Sequence, residues 1–119
     1  MSAQPQSTEP SFVHDIDAES GIFDSATGTL KLLAEPTRLH ILWLLSERER
    51  NVTELVEVTG VARTVVSQHL AKLRLGGLVQ TRRVGRSVIY RVDDGHLNRL
   101  VFESLNHADH QVTGEPAHE

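Results

Sequence analysis

The 119-residue chain has no cysteine and few aromatic residues: one Trp, one Tyr and three Phe. The missing cysteines exclude disulfides, thiol catalysis and every thiolate metal site. They leave the seven His as the strong nitrogen ligands for a metal ion. Scarce aromatics leave Leu and Val to fill the core. No apolar run approaches the ~18 residues of a membrane span. The opening Met1-Ser-Ala-Gln-Pro-Gln6 lacks the basic and apolar regions of a secretory signal. The expected location is therefore the cytoplasm, with no membrane partner. The length fits one domain with a modest core, which favours a partner subunit.

The net charge of −4 argues against nucleic acid until its distribution is read. Residues 1–28 carry five acids (Glu9, Asp15, Asp17, Glu19, Asp24) and no Lys or Arg. Residues 61–92 carry seven bases (Arg63, Lys72, Arg74, Arg82, Arg83, Arg86, Arg91) and no acid. Residues 93–119 return six acids against Arg99, with four of the His. A basic segment is flanked by acidic ones.

Residues 1–20 are polar, contain Pro5 and Pro10, and are expected to form a flexible tail. Ile22, Phe23, Ala26, Leu30 and Leu33 recur at helical spacing, which predicts a helix over 21–34. Pro36 suits the first turn of a second helix with Leu39, Ile41, Leu42 and Leu45 on its apolar face. Trp43 falls on the flank, and His40 is expected to pack. Thr53 is the expected cap of a short helix that Gly60 ends. A further helix is expected over 63–75, with Thr64 capping its start. Helix, Gly-containing turn and helix form a helix-turn-helix. Gly76-Gly77 breaks the pattern, and two strands over 78–84 and 87–92 joined at Gly85-Arg86 form a hairpin, a wing. Asp94 caps a last helix expected over 94–108, and residues 111–119 read as a second flexible tail.

The basic segment coincides with the second helix of the motif and the wing. A helix fits the DNA major groove, and a hairpin tip reaches the adjacent backbone or minor groove. The expected DNA-contacting residues are Arg63, Thr64, Ser67, Gln68, His69 and Lys72 on the helix, with Arg82, Arg83 and Arg86 on the wing. Gln68 is the best placed for base edges, and the wing arginines suit phosphates. For His69, packing against its own fold competes with DNA contact.

The last helix has a second pattern: Asp94, His96, His107 and His110. His107 and His110 are neighbours at i, i+3. His96 and His107 share a face but stand ~16 Å apart along the axis. A zinc ion holds its ligands at ~2 Å, so one helix cannot bring both ends to one metal. Two copies packed antiparallel can, giving three imidazoles and one carboxylate twice per symmetric dimer. Four ligands leave no open position for catalytic zinc, and no nucleophile or phosphate loop is visible, so an enzyme is not expected. The competing reading is an N-cap Asp and surface His on a polar helix. His14 and His118 lie outside the pattern and could extend a coordination sphere.

Taken together, the run Leu33-Ala-Glu-Pro-Thr-Arg-Leu-His-Ile-Leu42, the stretch Val66-Ser-Gln-His-Leu-Ala-Lys-Leu73, Gly77-Leu-Val79, Gly85-Arg-Ser87 and Tyr90-Arg-Val-Asp-Asp94 resemble the ArsR/SmtB family of metal-sensing repressors. The resemblance covers about residues 22–110. It implies a mainly α winged helix-turn-helix with a β-hairpin, domain bounds of 21–110, and a homodimer joined through the first and last helices. It implies operator DNA as partner and release when metal binds. Asp94, His96, His107 and His110 fall on the family's Zn(II), Co(II) or Ni(II) pattern. The resemblance also implies a bond from His107 to the Gly76-Gly77-Leu78 backbone, which would couple metal to the DNA-reading helix. Four N/O ligands favour Zn(II), and a tail ligand would favour Ni(II) or Co(II). The alternative classes are a nickel or cobalt regulator, and a DNA-binding regulator whose metal site does not control DNA binding.

Overall fold

The structure, a computed structural model, describes residues 20–114. The tail expected over 1–20 lies outside the described residues but for Ser20, as do His14, His118 and the tail beyond 114.

Helix α1 (Ile22–Leu33) is followed after a sharp break by α2 (Pro36–Glu47). Pro36 occupies the first turn of α2, where its missing N–H costs nothing. The Glu35 side chain caps it by accepting from the Arg38 amide at 2.8 Å. This amide bond, more than any ion pair, holds the Glu35 carboxyl below its usual value.

Helix α3 (Val52–Thr59) starts two residues earlier than a Thr53 cap would place it. Asn51 is the cap, accepting from Glu54 N while Glu54 accepts from Asn51 N, both at 2.8 Å. This reciprocal box leaves Thr53 inside the helix. Gly60 ends α3 at φ 71°, in the left-handed region expected of it. Helix α4 (Arg63–Leu75) has Ala62 at its cap position and no side-chain cap, so Thr64 does not play that role.

α4 ends in two interlocked backbone bonds, Gly77 N to Arg74 O and Leu78 N to Leu73 O, each 2.9 Å. Gly77 takes φ 80°, a conformation that costs other residues ~1–2 kcal/mol. Strands β1 (Gln80–Val84) and β2 (Ser87–Arg91) pair antiparallel, with Val84 opposite Ser87 across the Gly85-Arg86 turn. Gly85 takes φ 60° at the first central position of that turn. Helix α5 (Gly95–Thr113) ends at Gly114, five residues later than the apolar pattern predicts. Its last turns carry no buried side chain, so hydrophobic periodicity does not register them.

α2 is the hub, touching α1, α3, α4, α5 and β2. The core is entirely aliphatic: Leu33, Ile41, Leu42, Leu44, Leu45, Leu55, Val66, Leu70, Leu73, Val79, Leu97 and Val101. Each such side chain contributes ~1.5–3 kcal/mol on full burial. Trp43 is half-buried on the flank, whereas His40 is exposed and sits 6.4 Å, ring to ring, from Trp43. Arg50, in the α2–α3 connection, is a buried charge that the apolar pattern gives no hint of. It donates to Leu44 O and pairs with Glu47 at 2.9 Å, while its backbone exchanges two hydrogen bonds with Tyr90 of β2. The hairpin is thereby stitched to the helical layer. Among the described residues, no helix is long and apolar enough to cross a membrane.

Candidate DNA-reading face and metal-ligating helix

α4 buries Val66, Leu70 and Leu73 and turns its other side outward. Arg63, Thr64, Ser67, Gln68 and Lys72 are all exposed, so the structure brings these five expected residues to one outward surface. Arg63 is steered by a hydrogen bond to Thr53 Oγ1 at 2.5 Å. That bond lays its guanidinium across the first helix of the motif. Arg63, Thr53, Arg86 and Ser87 line one cleft between the motif and the wing.

His69 is placed differently. Its side chain is 15% exposed, with Nε2 3.6 Å from Glu35 Oε1 and Nδ1 3.4 Å from an Arg38 nitrogen. It faces the start of α2 rather than the outward surface of α4.

On the wing, Arg82, Arg83 and Arg86 are exposed. Arg82 is paired with Glu49 at 2.6 Å, which raises the Arg82 pKa and lowers that of Glu49. Arg91 pairs with Asp93 at 3.0 Å. The basic face read from the sequence is thus partly neutralised by acids from neighbouring segments. Glu49 lies 33 residues from Arg82, beyond the reach of any local pattern.

Asp94 caps α5, its Oδ1 accepting from His96 N at 2.8 Å. His96 Nδ1 lies 2.7 Å from the Arg99 guanidinium, which can only donate, so this nitrogen is the acceptor. His96 and His107 are exposed and His110 is half-buried. Among the described residues of one chain, no three His, Asp or Glu side chains converge on a point that could hold an ion. The donor chemistry nevertheless fits a divalent transition metal: three imidazoles and a carboxylate, split between the two ends of one helix. His107 forms no hydrogen bond to the Gly76-Gly77-Leu78 backbone in the single chain. The close approach at that linker is made instead by Leu32, whose Cδ1 lies against the position a Gly76 Cβ would take.

α1 and α5 also leave large apolar side chains uncovered: Phe23 and Leu30 on α1, Leu100 and Phe102 on α5. A nearly all-apolar groove of about 430 Å³ is lined by Pro36, Leu39, His40, Trp43 and Leu105.

This arrangement has clear relatives. The family profile described as "Bacterial regulatory protein, arsR family" matches residues 35–81. The HTH-type transcriptional regulator KmtR of Mycobacterium tuberculosis is 44% identical over 88 residues, 74% of this chain and 68% of that protein. The chain belongs to the ArsR/SmtB family. Its fellow member, the HTH-type transcriptional repressor SmtB of Mycobacterium tuberculosis, is 42% identical over 73% of this chain and 64% of its own length. A homodimeric winged helix-turn-helix DNA-binding domain from Mycobacterium bovis superposes with a TM-score of 0.72 at 31% identity. That likeness covers 91% of this chain and all of that one. This ArsR-family chain is accordingly a winged helix-turn-helix regulator that binds DNA, and its relatives are regulators rather than enzymes.

Proposed function

We propose that this ArsR-family regulator is a homodimeric repressor that Zn(II) releases from its operator. The observation that carries the reading is the split donor set on α5. Asp94 and His96 stand at one end, and His107 and His110 stand about three turns away. A second copy, lying antiparallel, supplies the missing half of each site. The exposed Phe23, Leu30, Leu100 and Phe102 are the surface that such a copy would cover.

Asp94, His96, His107 and His110 would hold the ion, whose contribution is charge and a fixed tetrahedral demand on its ligands. The chain's own residues do the rest. Asp94 has one oxygen committed to the helix cap and keeps its second for a ligand role. Arg99 holds His96 through Nδ1, a contact that a bound cation would displace by charge repulsion. On DNA, Gln68 and Ser67 face base edges, while Arg63, Thr64, Lys72, Arg83 and Arg86 contact phosphates. The coupling between the two surfaces is a difference in operator affinity between metal-bound and metal-free dimer, on the order of 1–3 kcal/mol.

The test is a cobalt titration followed optically, with and without operator DNA. An intense tetrahedral band at one ion per chain, with operator released, is the expected result. Weak six-coordinate bands would point to a nickel or cobalt sensor instead. Unchanged operator affinity at full metal loading would reject metal control. His107→Ala should keep DNA binding and lose the release.

A further inference from the structure

We infer that the last turn of α1 seats α4 for DNA reading, through Arg38 and His69 at one point and Gly76 at a second. The inference rests on α4 being the DNA-reading helix.

The first contact begins with the carbonyls that end α1. Helix C-termini leave such carbonyls without intrahelical partners. Arg38, from the first turn of α2, bonds two carbonyls there: Nε donates to Leu32 O at 2.7 Å, and Nη2 donates at 3.3 Å to Lys31 O, which also accepts from the Ala34 amide. Its third nitrogen, Nη1, lies 3.4 Å from His69 Nδ1 on α4. A guanidinium never accepts, so Nδ1 must, and the ring proton sits on Nε2. Nε2 faces Glu35 Oε1 at 3.6 Å, and that same oxygen is fixed by the Arg38 amide at 2.8 Å. One arginine therefore ties the end of α1 to the start of α2 and to the middle of α4. His69 lies in the outward-reading stretch between Gln68 and Lys72, yet its side chain is turned back into this junction.

The second contact lies just beyond the end of α4. Gly76 has an ordinary helical backbone, so conformation does not require glycine there. Space favours it: a Cβ there would have to push aside Leu32 Cδ1, the tip of the side chain that seats this end of α4. His69 and Gly76 are seven residues apart, ~10 Å along the helix axis. Two anchors at that spacing fix both the tilt and the rotation of α4. Both are held by residues 31–32, in the last turn of α1. The same helix carries the uncovered Phe23 and Leu30, so whatever covers α1 also acts on α4.

Neither Arg38 nor Gly76 belongs to the outward face of α4, which separates positioning from contact. The probe is a duplex selected from a random-sequence pool by the wild-type protein, with a random duplex of equal length as reference. His69→Ala and Arg38→Met should each weaken the selected duplex by about tenfold while leaving random-duplex affinity and its salt slope unchanged. The double variant should be no worse than either single one, because both break one linkage. His69→Gln, which can still donate and accept, should restore most of the loss. A loss confined to His69→Ala, or losses that multiply in the double variant, would mean that His69 touches DNA itself and would overturn the inference. If His69→Ala or Arg38→Met melts below the assay temperature, Gly76→Ala reads the second anchor. It should weaken the selected duplex with the fold intact, and unchanged affinity would overturn the inference. Failure of the wild-type protein to enrich any duplex would reject the DNA-reading role of α4 instead.

Discussion

The carboxylate of Glu49 holds the guanidinium of Arg82 at 2.6 Å, across 33 residues of sequence. An acid from the α2–α3 connection thus masks one base of the wing. Glu49→Gln keeps the shape and removes the charge. Random-duplex affinity should rise, and the slope of log K against log salt should steepen by up to ~0.9 as Arg82 becomes free to meet a phosphate. The check is a salt titration of both proteins, and identical slopes would show that Arg82 stays off the backbone.

Asn51 and Thr53 are both residue types that cap helices, and they stand two positions apart. Only Asn51 does so. Asn51→Ala should cost ~1 kcal/mol in urea unfolding. Thr53→Ala should stay within about 0.5 kcal/mol, since its hydroxyl serves an exposed arginine.

Glu35, Glu49 and Glu54 all have carboxyls held below 4.5. The leading causes are the Arg38 amide, the Arg82 side chain and the Asn51 amide respectively. A carboxylate whose folded pKa is depressed stabilises the fold above its unfolded pKa. That contribution is lost as pH falls through the folded value. The melting temperature should therefore hold steady from neutrality down to about pH 4.5 and fall below it. All three side chains are partly exposed, so solvent screening keeps each share small. In Glu54→Gln the acid-side fall should be shallower in a pH series of thermal melts.

Asp94 is a helix cap in the structure and a metal ligand in the proposed dimer, and two substitutions separate the roles. Asn caps as well as Asp does, so Asp94→Asn should leave unfolding within about 0.5 kcal/mol of wild type. Zinc binding should nevertheless weaken at least tenfold. Asp94→Ala should lose both, with ~1 kcal/mol of stability. Chelator-competition titrations and urea melts on the same samples give the answer. Undiminished zinc affinity in Asp94→Asn would remove Asp94 from the ligand set.

Arg99 occupies His96 Nδ1 at 2.7 Å. A metal ion near the same ring must meet that positive charge or displace it. Arg99→Ala should tighten zinc several-fold. A weaker or equal affinity would show that Arg99 does not oppose the ion.

Punctuating residues made the order of elements legible. Pro36 starts α2, Gly60 and Gly77 end helices at positive φ, Gly85 turns the hairpin, and Asp94 opens α5. Each of these signals is local, and each expected element is present. Features set by distant segments carry no local signal. Arg50 is buried because two distant segments meet over it, and Leu44 is core because α2 is covered on nearly all sides. The five extra residues of α5 are polar and exposed, so no apolar period marks them. Site residues divide the same way. The outward set on α4 follows from helical spacing against a buried Val66, Leu70 and Leu73. The inward turn of His69 depends on Arg38 and Glu35, more than thirty residues away. The metal pattern on α5 is legible as spacing, but its closure needs residues that a single copy cannot bring together.

The buried Arg50 and its paired bridge to Tyr90 have a consequence for how this protein meets DNA. A free two-stranded hairpin is marginal in water and would have to be ordered on contact. Here the base of the two-stranded wing is already tied to the α2–α3 connection by the two-bond Arg50–Tyr90 bridge. The arginines near its tip therefore arrive with their backbone entropy already surrendered during folding. Freezing the wing is charged to protein stability, and the DNA complex inherits it as faster, tighter docking.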